Sequence, residues 1–203
     1  MSTKLYLYPG WLRIWHFINA ILCLALIITG LNMQYSDPDT AFISFATAVK
    51  VHNISGTIFV FNYVLFFIGN IVTVNGKFYW REWKGFFQQM MAQAKYYLFG
   101  TFKGEHTPFP VNENRKFNPL QKIAYVAIMY FFLPLVLLSG VAMMYPEIII
   151  PELSGMSGMW LTNLAHIISG FIISIFLLVH LYFCTFGTTA TSNFKSMVTG
   201  YHE

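Results

Sequence analysis

Charged side chains are scarce in this chain. Asp, Glu, Lys and Arg make up 10% of its 203 residues, while 56% are hydrophobic and 19% aromatic. Soluble domains carry about a quarter of their residues as charges, so the shortage excludes an ordinary soluble fold. Cysteine is scarce too. Cys23 and Cys184 both fall inside long apolar runs with no C-x-x-C spacing, which argues against a disulfide framework, a zinc site or an iron-sulfur cluster and leaves both as packing residues. The chain also lacks a C-x-x-C-H haem attachment motif and a glycine-rich nucleotide fingerprint. No soluble domain, low-complexity tract or convincing internal repeat is evident. The first apolar run has no small-residue cleavage pattern after it and reads as a retained helix.

What the chain has is long apolar runs. Four of them, about Leu12 to Met33, Val51 to Val74, Leu120 to Tyr145 and Trp160 to Phe186, exceed the roughly 18 residues that cross a bilayer. They predict an all-α integral membrane four-helix bundle, one domain over residues 1–203. Helix three carries Pro134 near its middle, which removes a backbone hydrogen bond and predicts a bend. Between helices two and three, Tyr79 to Phe99 mixes Trp80, Trp83, Phe86 and Tyr97 with Arg81, Lys84 and Lys95. This predicts an amphipathic helix in the headgroup region. Gly100 to Asn118, with Gly104, Pro108 and Pro110, reads as an irregular loop. The two opposite connections, Gln34 to about Ala46 and Pro146 to Met159, contain Pro38, Pro146 and Pro151 and read as a small cap.

The net charge of +4 follows topology and does not indicate nucleic acid. Of the twelve Lys and Arg, eleven fall on one side of the predicted membrane: Lys4, Arg13, eight from Lys77 to Lys122, and Lys195. Lys50 alone lies opposite, with Asp37, Asp39, Glu147 and Glu152. Basic loops stay in the cytoplasm. Both termini and the long middle connection are therefore expected on the cytoplasmic face of a bacterial inner membrane.

Ionisable residues inside membrane helices are uncommon and often mark function. Four of the six histidines are so placed. His166 and His180 lie fourteen residues apart, a separation that turns a helix about 1400°, within about 40° of whole turns, and advances it about 21 Å. One helix thus offers a ligand near each membrane surface on the same face. Each helix reverses the direction of the one before, so His16 matches the depth of His180 at the cytoplasmic side, and His52 matches His166 at the outer side. Two bis-histidine haem b sites follow from this pairing, with both axial positions filled as electron transfer requires. Gly56 and Gly170, each four residues beyond a histidine, lie close to the ligand faces and leave room for a porphyrin. Arg13 and Lys50 are candidates to pair with haem propionates. His106 and His202 are expected at the surface.

The chain resembles the four-helix cytochrome b subunits of bacterial formate dehydrogenase, nickel-iron hydrogenase and thiosulfate reductase over nearly its whole length. The matching pieces are Arg13 to Ala20, Val51 to Gly56, Lys116 to Lys122, the histidine pair of helix four, and Phe194 to Tyr201. The resemblance implies two haems b and a menaquinone or ubiquinone site beside the cytoplasmic haem. In formate dehydrogenase-like members an Asn before helix three helps hold the quinone. Asn118 matches it and His180 matches the nearby ligand, with Gln121 and Lys122 as further candidates; Pro119 and Leu120 stand where an Ala-Gly pair is familiar. The same Asn-Pro sequence also suits a helix N-cap and first turn.

These features predict an electron-transfer subunit linking quinone in the membrane to an iron-sulfur, molybdenum or nickel enzyme subunit, or a multihaem cytochrome c, at the outer face. Two other readings are a self-contained transmembrane haem b reductase and a non-redox membrane anchor or metal carrier.

Overall fold

The computed structural model describes residues 5–37, 41–80 and 83–202. Lys4, Pro38, Asp39 and Arg81, which enter the charge, cap and amphipathic-helix expectations, lie outside the described residues. Four spans are long and apolar enough to cross a membrane: α1 (Gly10–Tyr35), α2 (Phe45–Val72), a third spanning Pro119–Met144, and α7 (Gly158–Cys184). The protein is an all-α integral membrane bundle. Its outer faces expose Ile14, Ile21, Phe61, Leu65, Leu138, Phe171 and Leu178, large apolar side chains suited to lipid rather than water.

Helix ends are set by local chemistry. Helix α2 begins six residues before the expected Val51, because Ser44 caps it by accepting from the Thr47 backbone N–H at 3.3 Å. The third span is not one regular helix. It consists of α5 (Pro119–Ala127), a π turn (Ile128–Phe132) and α6 (Leu133–Met144). The expected effect of Pro134 is absorbed here: the Leu133 N–H reaches back to the Ile128 carbonyl, and the Met129 carbonyl accepts from the Tyr63 hydroxyl at 2.9 Å.

The connection after α2 is also segmented. It holds α3 (Lys77–Trp80), α4 (Phe86–Lys95), a π turn at Tyr96–Gly100 and a 3-10 turn at Thr101–Lys103. Gly85, at φ +65°, starts α4. A last helix, α8 (Ser192–Thr199), precedes β4 (Tyr201–His202), which pairs antiparallel with β1 (Leu5–Tyr6). Both described chain ends therefore meet at one end of the bundle, the terminal end. The opposite, hairpin end carries β2 (Glu152–Leu153) and β3 (Met156–Ser157). Their turn needs positive φ at Ser154 (53°) and Gly155 (81°), the geometry that joins two strands tightly.

The span α1 packs chiefly on α2, and α6 on α7, giving two antiparallel helix hairpins. Trp11 lies so close to Gly69 that an added Cβ would sit 2.6 Å from its ring. Between the hairpins, Leu22, Cys23, Phe59, Ile128, Leu133 and Ile173 form the mid-membrane core. At the terminal end a second cluster joins Leu12, Trp15, Phe66 and Tyr79.

The hairpins carry a duplicated pattern, which corrects the expectation of no internal repeat. Helix α2 contains His52-Asn-Ile-Ser-Gly56 and α7 contains His166-Ile-Ile-Ser-Gly170; their partner helices carry Thr29-Gly30 and Ser139-Gly140. Each hairpin runs in the same direction, so the repeat is parallel, with its axis along the membrane normal.

Candidate functional site

The four membrane histidines meet in two pairs. His16 of α1 and His180 of α7 have ring centroids 6.2 Å apart; His52 of α2 and His166 of α7 have theirs 6.1 Å apart. The fourteen-residue interval in α7 thus delivers one ring to each end of the bundle.

At the hairpin end the duplicated sequence becomes duplicated geometry. The Thr29 hydroxyl donates to the Ala25 carbonyl at 2.7 Å and lies 2.9 Å from His52 Nδ1. With its proton used, that hydroxyl is an acceptor for Nδ1–H. The Ser139 hydroxyl likewise donates to Leu135 at 2.7 Å and lies 3.2 Å from His166 Nδ1, which also donates to the Val136 carbonyl at 3.0 Å. Engaging Nδ1 in this way orients each ring and leaves Nε2 for a metal. The following glycines make room. A Cβ at Gly30 would lie 3.5 Å from His52 Cε1, and one at Gly140 3.1 Å from His166 Cε1. Sequence reasoning passed over Thr29, Gly30, Ser139 and Gly140, although aligning the two hairpins brings them into register.

The terminal end is built differently. His180 Nδ1 lies 3.3 Å from the Tyr125 hydroxyl, its Nε2 is 3.7 Å from Cys184 Sγ, and Phe176 stacks on the ring at 5.7 Å. Cys184 is therefore a neighbour of the histidine rather than a mere packing residue. His16 Nδ1 is buried with no partner among the described residues, as are Asn19 Oδ1 and Ser169 Oγ. The last two lie three residues beyond His16 and His166. Orphaned polar atoms thus gather on the faces that carry the rings.

The remaining expected residues are placed as follows. Gly56 lies against Leu26 of α1, with 3.9 Å to an added Cβ, while Gly170 meets no protein atom within 4 Å. The Arg13 guanidinium donates to the Val198 carbonyl and ties α1 to α8. Lys50 is exposed, two residues before His52. His106 is exposed, but His202 is half-buried in β4 and held below the usual histidine range by that burial.

Asn118 caps α5. Its Oδ1 accepts from the Gln121 N–H at 2.9 Å, and Gln121 Oε1 accepts from the Asn118 N–H at 3.1 Å, a reciprocal capping box. Asn118 Nδ2 donates to the Tyr97 hydroxyl at 2.8 Å, and Tyr97 packs on Phe183, 5.2 Å between centroids. Burial raises the pKa of Tyr97, which keeps its proton in place. Tyr97 had been expected only as an interfacial aromatic. Lys122 is buried on another side, its ammonium 4.7 Å from the Trp83 ring and 5.8 Å from that of Phe86.

The residues present fit haem. The ring separations of 6.2 and 6.1 Å leave room for one metal ion between the imidazoles of each pair, at metal–nitrogen bonds of about 2.0–2.1 Å. Among the described residues no group of three or more His, Cys, Asp or Glu is gathered to hold a metal. Two imidazoles alone leave the remaining coordination to a macrocycle.

A family model described as prokaryotic cytochrome b561 matches residues 7–200. The chain belongs to the prokaryotic cytochrome b561 family. It is a transmembrane haem b electron-transfer protein and a multi-pass protein of a bacterial membrane. It is similar to YdhU of Escherichia coli (strain K12), which is described as a cytochrome, with 39% identity over 206 residues, covering 100% of this chain and 76% of that one. No solved structure matches.

Proposed function

We propose that this cytochrome b561-family chain is a dihaem subunit that moves electrons between a partner oxidoreductase at the hairpin end and quinone at the terminal end. The observation that carries the proposal is the pair of matched ring separations, 6.2 and 6.1 Å, at opposite ends of the bundle. His16 and His180 would hold one haem b, His52 and His166 the other. When bound, haem b would supply one-electron oxidation and reduction.

The chain's own residues do the rest. Thr29 and Ser139 fix the orientation of the hairpin-end rings, and Tyr125 and Phe176 that of His180. Leu22, Phe59, Leu133 and Ile173 exclude water between the two sites. The excess of Lys and Arg on the terminal side supports placing that end in the cytoplasm, by the positive-inside rule. There the Asn118 amide, the Tyr97 hydroxyl and the Phe183 ring offer a polar edge and an aromatic face suited to menaquinone or ubiquinone, beside His180; Gln121 holds Asn118 in place and Lys122 adds charge nearby. The hairpin end would meet an iron-sulfur, molybdenum or nickel subunit, or a multihaem cytochrome c.

Haem quantitation tests the ligand set and quinol-driven haem reduction tests the quinone site. Two haems b per chain and a quinol-reduction rate at least tenfold lower in Tyr97→Phe with Asn118→Asp are the expected results. An unchanged rate in that double variant would remove quinone from the terminal end.

A further inference from the structure

An isolated ammonium is costly to bury unless something nearby compensates it. Lys116 is 5% exposed. Its Nζ donates to Asn75 Oδ1 at 3.2 Å and lies 4.4 Å from the centroid of Tyr8, with Phe78 at 5.7 Å and Phe117 at 5.8 Å. Asn75 is held in turn, donating through Nδ2 to Asn70 Oδ1 at 2.6 Å. Among the described residues these partners include an amide oxygen and three aromatic faces but no carboxylate. The ammonium is therefore held in place with no carboxylate beside it. Phe117 packs on Tyr125, 4.7 Å between centroids, and the Tyr125 hydroxyl lies 3.3 Å from His180 Nδ1.

The other end has no counterpart. Among the described residues the buried cations are Lys116 and Lys122, both beside the start of the third span. Lys50, the basic residue nearest His52 in sequence, is exposed.

We propose that Lys116 is a positioning charge that favours the reduced form of the haem held by His16 and His180, setting the two sites at different reduction equilibria. The inference rests on the dihaem reading above. Reduction adds one electron to the iron, ferric to ferrous, with no bond made or broken, so the site loses one unit of positive charge. A fixed cation nearby disfavours the ferric state more than the ferrous one, and does so more strongly in a low-dielectric interior than at a surface. The His52–His166 site, lacking such a cation, is the internal control.

The test is a mediated redox titration of the purified full-length protein, followed by haem absorption with dithionite as reductant. It is run at pH 6, because burial lowers the Lys116 ammonium to a pKa of about 7. Lys116→Met should shift the terminal-end haem at least tenfold toward the oxidised form, which is 59 mV for a one-electron couple. The hairpin-end haem should not move, and Lys116→Arg should restore most of the difference. A His180→Ala background assigns the signals. Should the Met variant not retain the terminal-end haem, Lys116→Gln carries the same comparison. Two haems with unmoved equilibria, or with both shifted equally, would overturn the role of Lys116. A wild-type protein without two haems would instead overturn the dihaem reading.

Discussion

The two ends of the bundle hold near-identical histidine pairs by different means. At the hairpin end, each ring comes from a His-x-Ile-Ser-Gly segment and is oriented by a hydroxyl on the neighbouring helix, with a glycine beneath it. At the terminal end, Phe176 and Cys184, one turn to either side of His180, are joined by residues from remote parts of the chain: Tyr8, Tyr97, Lys116 and Tyr125. One end repeats itself; the other is assembled once. Duplication is enough to bring two histidines together in a four-helix bundle, but the proposed quinone role and the charge asymmetry need residues that the repeat does not supply.

The largest effects should come from the ligands. His180→Ala is expected to halve the haem content by removing the terminal-end haem, and His52→Ala to halve it by removing the other. Haem quantitation with absorption spectra checks both, and survival of both haems in either variant would break the pairing. Next come the glycines. Gly140→Ala should reduce occupancy of the hairpin-end haem, because its Cβ would press on His166 at 3.1 Å, whereas Gly30→Ala should be tolerated at 3.5 Å. Equal behaviour of the two would argue against the cradle.

Hydroxyl removal sharpens the same comparison. Thr29→Val should weaken retention of the hairpin-end haem about 10–100-fold, the usual cost of losing an outer partner of a metal-ligating histidine. Ser139→Ala should cost about the same, since His52 keeps a backbone bond to Leu26 as His166 keeps the Val136 carbonyl. Competition with apomyoglobin for haem would measure both. The smallest effect belongs to Asn118. Its replacement by Ala should cost about 1 kcal/mol of stability through loss of the N-cap, seen in detergent melts, while Asn118→Asp should keep the cap and lose only the bond donated to Tyr97.

Much of this was legible in sequence. The apolar runs gave the four spans, and the depth of each histidine gave the pairing that the structure brings together. The spacing placed one α7 ring toward each end because helix geometry is rigid over fourteen residues. The hydroxyl-glycine partners were missed although the sequence held them, since the repeat shows only when the two hairpins are aligned with one another. Tyr97 and Lys116 were harder. Both sit in the connection before α5, Tyr97 in the π turn after α4 and Lys116 in the irregular stretch beyond it, and only tertiary packing turns Tyr97 toward Asn118 and Lys116 into the aromatic box. The dual nature of Asn118 follows the same division: its cap was written in Asn-Pro, its bond to Tyr97 was not.

The central claim is that one chain holds two haems b, one at each end. Haem quantitation of the purified protein, combined with its reduced-minus-oxidised spectrum, tests this most directly. Two haems b per chain, both with the low-spin signature of paired imidazoles, is the predicted result. One haem per chain, or none, would contradict it.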